Sequence, residues 1–254
     1  MSRHQLVSAW RAVPFAEIAW VNADGRPDAA TVVPLVQGDH PAIALTYDRF
    51  DLGQQLARAE QVLLAVTSPA LSSGRTPVSA WAHVSVHEDP DGREFEERFL
   101  AQELAKHPPA RRFADSPLLK SEHPWYLPRI LVRTTRIKEV VEHPLRDALA
   151  VTNLAGVGRA ATVDLDGMDA RAGISSPLPD GPTAVLQHGA DLPDLDRPWW
   201  RHWRGEVADG TLHTNGFTER RQLTEPEGVW RRWRDQVAFE KACKAGLRAS
   251  RSLP

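Results

Sequence analysis

The sequence predicts an α+β fold that is mainly β, and three observations carry that expectation. Residues 15–68 run as strand, turn, strand, turn, strand, short helix and strand. Residues 78–86 alternate apolar and polar side chains, the period-two pattern of a strand with one face on a core. Only short helical patterns separate these runs, and 254 residues suffice for one large or two small domains with proper cores.

Residues 3–13 predict an amphipathic helix, with Leu6, Trp10 and Val13 at helical spacing and Pro14 closing it. The apolar runs 15–21 and 29–36 flank Asp24-Gly25, where glycine suits the positive φ of a type I′ hairpin turn. A second turn, Gly38-Asp39-His40-Pro41, leads into a strand over 42–47. Asp51 is placed to cap a helix reaching about Ala59, with Leu52 and Leu56 on one face. Residues 62–66 are continuously apolar, as in a strand buried on both faces.

Residues 69–77 read as a loop. In the strand 78–86, Val78, Ala80, Ala82, Val84 and Val86 share one face; Ser79, Trp81, His83, Ser85 and His87 share the other. Asp89-Pro90-Asp91-Gly92 opens a helix with acids in its first turn and a stripe of Phe95, Phe99, Leu100 and Leu104. Residues 107–125 read as irregular, and 126–132 with 137–141 as the last strand or strands of a first unit.

The remainder shows a similar order. A hairpin around Asp166-Gly167 joins 160–165 to 168–174, Pro177-Leu178 stands where Pro34-Leu35 stood, and Gly181-Pro182 precedes a strand over 183–188. A helix over 191–203 and strands from Gly205 and over 211–217 follow. The near-constant spacing between corresponding features is how an internal duplication shows itself. We therefore divide the chain into 1–145 and a smaller α+β unit, 146–254, that reads as a diverged repeat; shared turn chemistry between unrelated β-units is the alternative. Residues 226–247 predict a closing basic helix with Trp230, Trp233 and Val237 at helical spacing.

Composition excludes several classes. A net charge of −2 gives no field for nucleic acid or anionic lipid. No stretch approaches the ~20 apolar residues of a membrane span, and no apolar leader opens the chain. The single cysteine, Cys243, fits a reducing compartment, so the expected setting is cytoplasmic. There is no Gly-x-Ser-x-Gly or phosphate-loop pattern, and Gly156-Val157-Gly158 reads as a loop. His83 with His87, and His188 with Asp191, Asp194 and Asp196, lack zinc-ligand spacing, so no metal is expected. Residues 199–204, with three tryptophans, read as a packed helix face rather than a base-stacking surface.

The order of 15–68, with Ala44-Leu45-Thr46-Tyr47-Asp48-Arg49 ending the third strand, resembles the FMN-binding split β-barrels of the pyridoxamine 5′-phosphate oxidase-like superfamily. The resemblance implies a split barrel and a flavin or deazaflavin oxidoreductase acting on a small molecule, as a homodimer or an intrachain pseudo-dimer. It also implies the site. Thr31, Val32 and Val33 would line the flavin ring, and Thr46, Tyr47 and Arg49 would meet the phosphate, supported by Gln54 or Gln55. Trp125 and Arg129 match elements that complete the flavin pocket in the superfamily. The phosphate turn departs from the family in having one base, Arg49, between Asp48 and Asp51. Two alternatives remain open at this point: a haem-binding barrel using His83, His87 or another histidine, and a cofactor-free barrel with a binding or regulatory role.

Overall fold

The computed structural model describes residues 2–72, 74–165, 178–190, 198–220 and 228–252. A helix, Arg3–Ala12, is followed by strands β1 (Ala16–Val21), β2 (Pro27–Val32), β3 (Leu35–Gln37) and β4 (His40–Leu45). A 3₁₀ turn, Tyr47–Arg49, runs into the helix Phe50–Arg58, and β5 (Val62–Val66), β6 (Val78–Asp89) and β7 (Arg129–Glu142) complete the first sheet. All pairings are antiparallel, in the order β2-β1-β5-β6-β7-β4-β3.

That order makes β2 and β3 the two edges of one sheet, yet only Val33-Pro34 separates them in sequence. Three peptide links span at most about 11 Å, so the sheet must curl until its edges face each other. Pro34 has no N–H to give to a ladder, and the edges stay unpaired there. The result is a barrel with a split, a split-barrel-like α+β fold. Polar side chains occupy the β3 edge. The Gln102 amide donates to Val36 O at 2.8 Å and accepts from Val36 N at 3.0 Å, as a strand would. Lys106 Nζ donates to Trp10 O (2.8 Å) and Pro34 O (2.6 Å), tying the first helix to the crossover.

The second sheet comprises β8 (Ala148–Leu154), β9 (Val157–Val163), β10 (Gly181–Gly189), β11 (Trp199–Ala208) and β12 (Thr211–Arg220), ordered β12-β11-β10-β8-β9. It packs on the outer face of the first. Ala19, Ala29, Leu63 and Ala65 meet Leu149, Val151 and Leu186, which explains why β1 and β5 are buried on both faces. A Cβ on Gly158 would stand 2.3 Å from the Trp81 ring, so that glycine admits the indole between the sheets. Polar ties flank this core: His188 Nε2 lies 2.8 Å from Glu17 Oε1, Asn153 Nδ2 donates to Gly25 O at 2.7 Å, and Arg204 Nη2 lies 3.0 Å from both Asp28 oxygens. A final helix, Val229–Arg251, returns to the first sheet.

Several expectations need correction. The run 29–36 is two strands, broken at Val33-Pro34. The β1–β2 turn is longer than a type I′ pair: Gly25 N donates to Asn22 O, Asn22 N to Arg26 O, and only Gly25 has positive φ (+79°). Asp51 is not a cap, because the helix begins at Phe50 as a continuation of the 3₁₀ turn. The first-sheet strand after residue 126 starts at Arg129 and is continuous to Glu142. Residues 199–203 form the start of β11, not a helix, and β10 pairs directly with β11 where β4 does not pair with β5. Gly156 lies in a turn with Ala155 (φ +84° and +50°), but Val157 and Gly158 belong to β9. The turn at Asp166-Gly167, the strand 168–174, Pro177 and residues 191–197 lie outside the described residues.

Candidate functional site

A cleft of about 620 Å³ opens at the split. Val32 and Val33 at the end of β2 form one side, and Ile43, Ala44, Leu45 and Thr46 at the end of β4 form another. Asp48 and Arg49 follow on the 3₁₀ turn, His107, Arg112 and Phe113 come from the segment after the helix Leu100–Lys106, and the closing helix adds Arg232, Asp235, Gln236 and Phe239.

The turn is held by short-range bonds. Thr46 Oγ1 donates to Asp48 Oδ1 at 2.5 Å, and Arg49 Nη1 donates across the split to Thr31 O at 2.8 Å. Burial lowers the Arg49 guanidinium from its usual value, opposed by Asp48. Asp48 keeps an exposed side chain at the rim; crowding by the protein raises its carboxyl, while Thr46 and Arg49 pull it back.

One wall is aromatic. Phe113 stacks on Tyr126 with centroids 4.9 Å apart and lies 6.1 Å from Phe239, and Trp125 packs edge-on behind both, at 5.3 and 5.4 Å. Beneath it, Tyr126 Oη donates to Glu103 Oε1 at 2.5 Å and Arg129 Nη2 reaches the same oxygen at 3.1 Å. Arg129 is wholly buried between the Phe95 and Tyr126 rings, at 3.9 and 4.3 Å. Burial raises the Tyr126 phenol well above its ordinary value, with Glu103 adding to the rise. His107 Nδ1 is buried with no hydrogen-bond partner, and burial, with Arg112 adding, lowers the imidazole toward its neutral form.

Of the residues singled out in the sequence, Val32, Val33, Thr46 and Arg49 line this cleft. Thr31 contributes its carbonyl to Arg49 but does not line it. Tyr47 is turned away: its phenol donates to Glu88 Oε2 at 2.8 Å and its ring stacks on Phe50. Gln55 accepts from Trp20 Nε1 at 3.1 Å, and Gln54 does not line the cleft either. Trp125 backs the aromatic wall, and Arg129 does not line the cleft: it is buried between Phe95 and Tyr126 and paired with Glu103, and its Nε has no hydrogen-bond partner. His83 and His87 do not line the cleft, and His87 pairs with Glu94 at 3.0 Å; the histidine on the cleft is His107.

The sequence reading missed His107, Arg112, Phe113 and the contribution of the closing helix. One signal for the helix was available. Gly246 stands in a helix interior, a position that costs stability unless something packs closely there. Among the described residues, no cluster of three or more His, Cys, Asp or Glu is arranged for a metal, and no helix is long and apolar enough to cross a membrane.

The curled sheet and its split define a split-barrel-like α+β protein with a cleft at the split. No family model matches the sequence, and no curated protein does. Many of the matching solved structures are pyridoxamine 5′-phosphate oxidase-like or general stress protein 26 family proteins. A putative pyridoxamine 5′-phosphate oxidase from Listeria innocua is 12% identical, with 55% of this chain and 96% of that one covered at a TM-score of 0.37. An F420 reductase is 16% identical over 53% and 94%, at 0.35. A heme binding protein from Mycobacterium smegmatis is 15% identical over 96% and 97%, at 0.38.

Proposed function

We propose that this chain binds a phosphate-bearing flavin or deazaflavin, FMN first, in the cleft at the split, and acts as an oxidoreductase on a small molecule. The observation that carries the reading is the composition of that cleft. An aromatic wall of Phe113 and Phe239 sits with a rim bearing Arg49, Arg112 and Arg232. A planar heteroaromatic ring wants the first, an anionic tail wants the second, and a flavin nucleotide has both. The volume of about 620 Å³ lies within the usual range for small-molecule sites.

The groups present fit such a ligand. His107 and Phe113 line the cleft beside the space a ring would occupy. Val33, between β2 and β3 where Pro34 interrupts the strand, lines the cleft where a ring edge would sit. Thr46 and Arg49 stand at the end of β4 for the phosphate. The bound flavin itself would supply the electron transfer. The protein's part is to hold the ring against the aromatic wall, neutralise the tail and keep water out.

His107 also favours a second reading, haem, because an imidazole on the cleft, held toward its neutral form by burial, is the kind of side chain an axial ligand requires. The visible spectrum of the purified chain separates the two. Flavin bands, retained on His107→Ala, uphold the first reading. A Soret band lost on the same change upholds the second, and a colourless chain that takes up neither FMN nor hemin leaves the cofactor-free barrel. The wall contributed by residues 229–251 supports a site built within one chain over one completed by a homodimer partner, and the mass in solution tests that.

A further inference from the structure

The closing helix is seated on the barrel by its second half and reaches the cleft with its first. Gly246 lies so close to the 47–49 turn that a Cβ there would stand 1.9 Å from Tyr47 O. Cys243, one turn earlier, is 2% exposed and packs in the barrel core with Phe239 and Leu247 beside it. With those points fixed, a helix of 3.6 residues per turn places 232, 235, 236 and 239 on one side, and these residues line the cleft.

The charge balance at the rim gives that placement a consequence. Glu103 is already matched by Arg129 and Tyr126. Arg49 is the only base on the turn itself, and Asp48 lies beside it. The remaining bases on the cleft are Arg112 and Arg232, with Asp235 as the other exposed acid. Losing any one of the three arginines leaves two against two aspartates, but Arg49 and Arg112 already donate to Thr31 O and Pro109 O, whereas Arg232 stands exposed on the closing helix.

We propose that Arg232, carried by the closing helix, is the residue that selects a phosphate-bearing ligand over its uncharged counterpart. The helix is thereby part of the ligand site and not merely a cover. This rests on the flavin reading above. An arginine–phosphate contact is a charge-assisted hydrogen bond of roughly 1.5–3 kcal/mol, so its loss should weaken binding by about tenfold or more. Riboflavin has the same ring and no phosphate, and it isolates the effect.

The experiment is a fluorescence-quenching titration of the full chain with FMN and with riboflavin. It is repeated for Arg232→Gln, Arg232→Lys and, as a control on the same helix away from the cleft, Arg248→Gln. The expected result is tighter binding of FMN than of riboflavin, a loss of about tenfold for FMN alone in Arg232→Gln, and partial recovery in Arg232→Lys. Arg248→Gln should match the unmodified chain. If FMN binds and Arg232→Gln leaves its affinity over riboflavin intact, the proposal is overturned and the flavin reading stands. If the unmodified chain binds neither flavin, both fall together. Arg232 is exposed, so its substitution leaves the fold in place, and unchanged urea midpoints verify this.

Discussion

The main-chain carbonyl of Tyr47 and Gly246 meet with no room between them: a Cβ at 246 would stand 1.9 Å from that oxygen. The closing helix therefore docks backbone to backbone on the turn that borders the cleft. Its position is set by a missing side chain, and its adjacent apolar anchors, Phe239, Cys243 and Leu247, fill in around that contact.

Gly246→Ala should lever the helix off the turn. Overpacking of this kind costs about 1–3 kcal/mol, read as a lower urea midpoint. Cys243 reports the displacement independently. Its thiol is buried and pushed up to about 12 by that burial, so it should alkylate slowly in the native protein. Gly246→Ala should speed the alkylation under native conditions; equal rates in both proteins would show that the helix does not depend on this contact.

Arg129 and Glu103 form a buried pair, with side chains 0% and 6% exposed. Arg129→Met removes the cation and leaves the carboxylate with only Tyr126, a loss expected to cost roughly 3–5 kcal/mol. Because Arg129 does not line the cleft, the preference for FMN over riboflavin should survive in protein that remains folded. A variant of normal stability with altered ligand preference would return Arg129 to the binding site.

Acid should destabilise the protein through His202. The ring is 5% exposed and its Nε2 lies 3.3 Å from Asp28 Oδ1 without hydrogen-bond alignment. Burial, with Arg204 adding and Asp28 opposing, lowers it from 6.5 to about 4. Between those values the unfolded chain binds the extra proton, so this contribution is complete above pH 6.5 and is lost as pH falls toward 4. The size is roughly 2–3 kcal/mol over the window. Urea midpoints from pH 7.5 down to 4.5 should fall, and His202→Gln should flatten the slope. His107 and His143, also lowered by burial, add in the same direction.

How much of this could be read from the sequence follows from what kind of interaction sets each feature. Turns at Asp24-Gly25 and Gly38-Asp39 and the apolar run 62–66 are local signals, and a reversal or strand lies at each, although the strand bounds differ: 29–36 divides in two and the strand expected over 42–47 is His40–Leu45. Trp199 to Trp203 misled because three tryptophans at helical spacing also suit a strand: Trp203 is buried while Trp199 and Trp200 remain partly exposed. Pairing with β10 and β12, set by residues far away in sequence, decided the matter. The cleft was half legible. Val32, Val33, Thr46 and Arg49 were implied by the resemblance of residues 15–68 to a split barrel, whereas Arg112, Phe113 and Arg232 reach the cleft through short helical turns and a distant helix. Arg129 was implied by resemblance, as an arginine on a strand after an aromatic pair; here Phe95 and Tyr126 sandwich it inside the barrel.

The central claim is that the cleft between β2 and β4 holds a flavin nucleotide, and the most direct test is equilibrium titration of the purified chain with FMN against Arg49→Gln and Phe113→Ala. The account predicts saturable one-to-one binding with quenched flavin fluorescence. Loss of either the rim cation or the wall ring should weaken it by about tenfold, with hemin competing for the same cleft or not binding at all. FMN binding that ignores both substitutions, or no FMN binding to the unmodified chain, would contradict it.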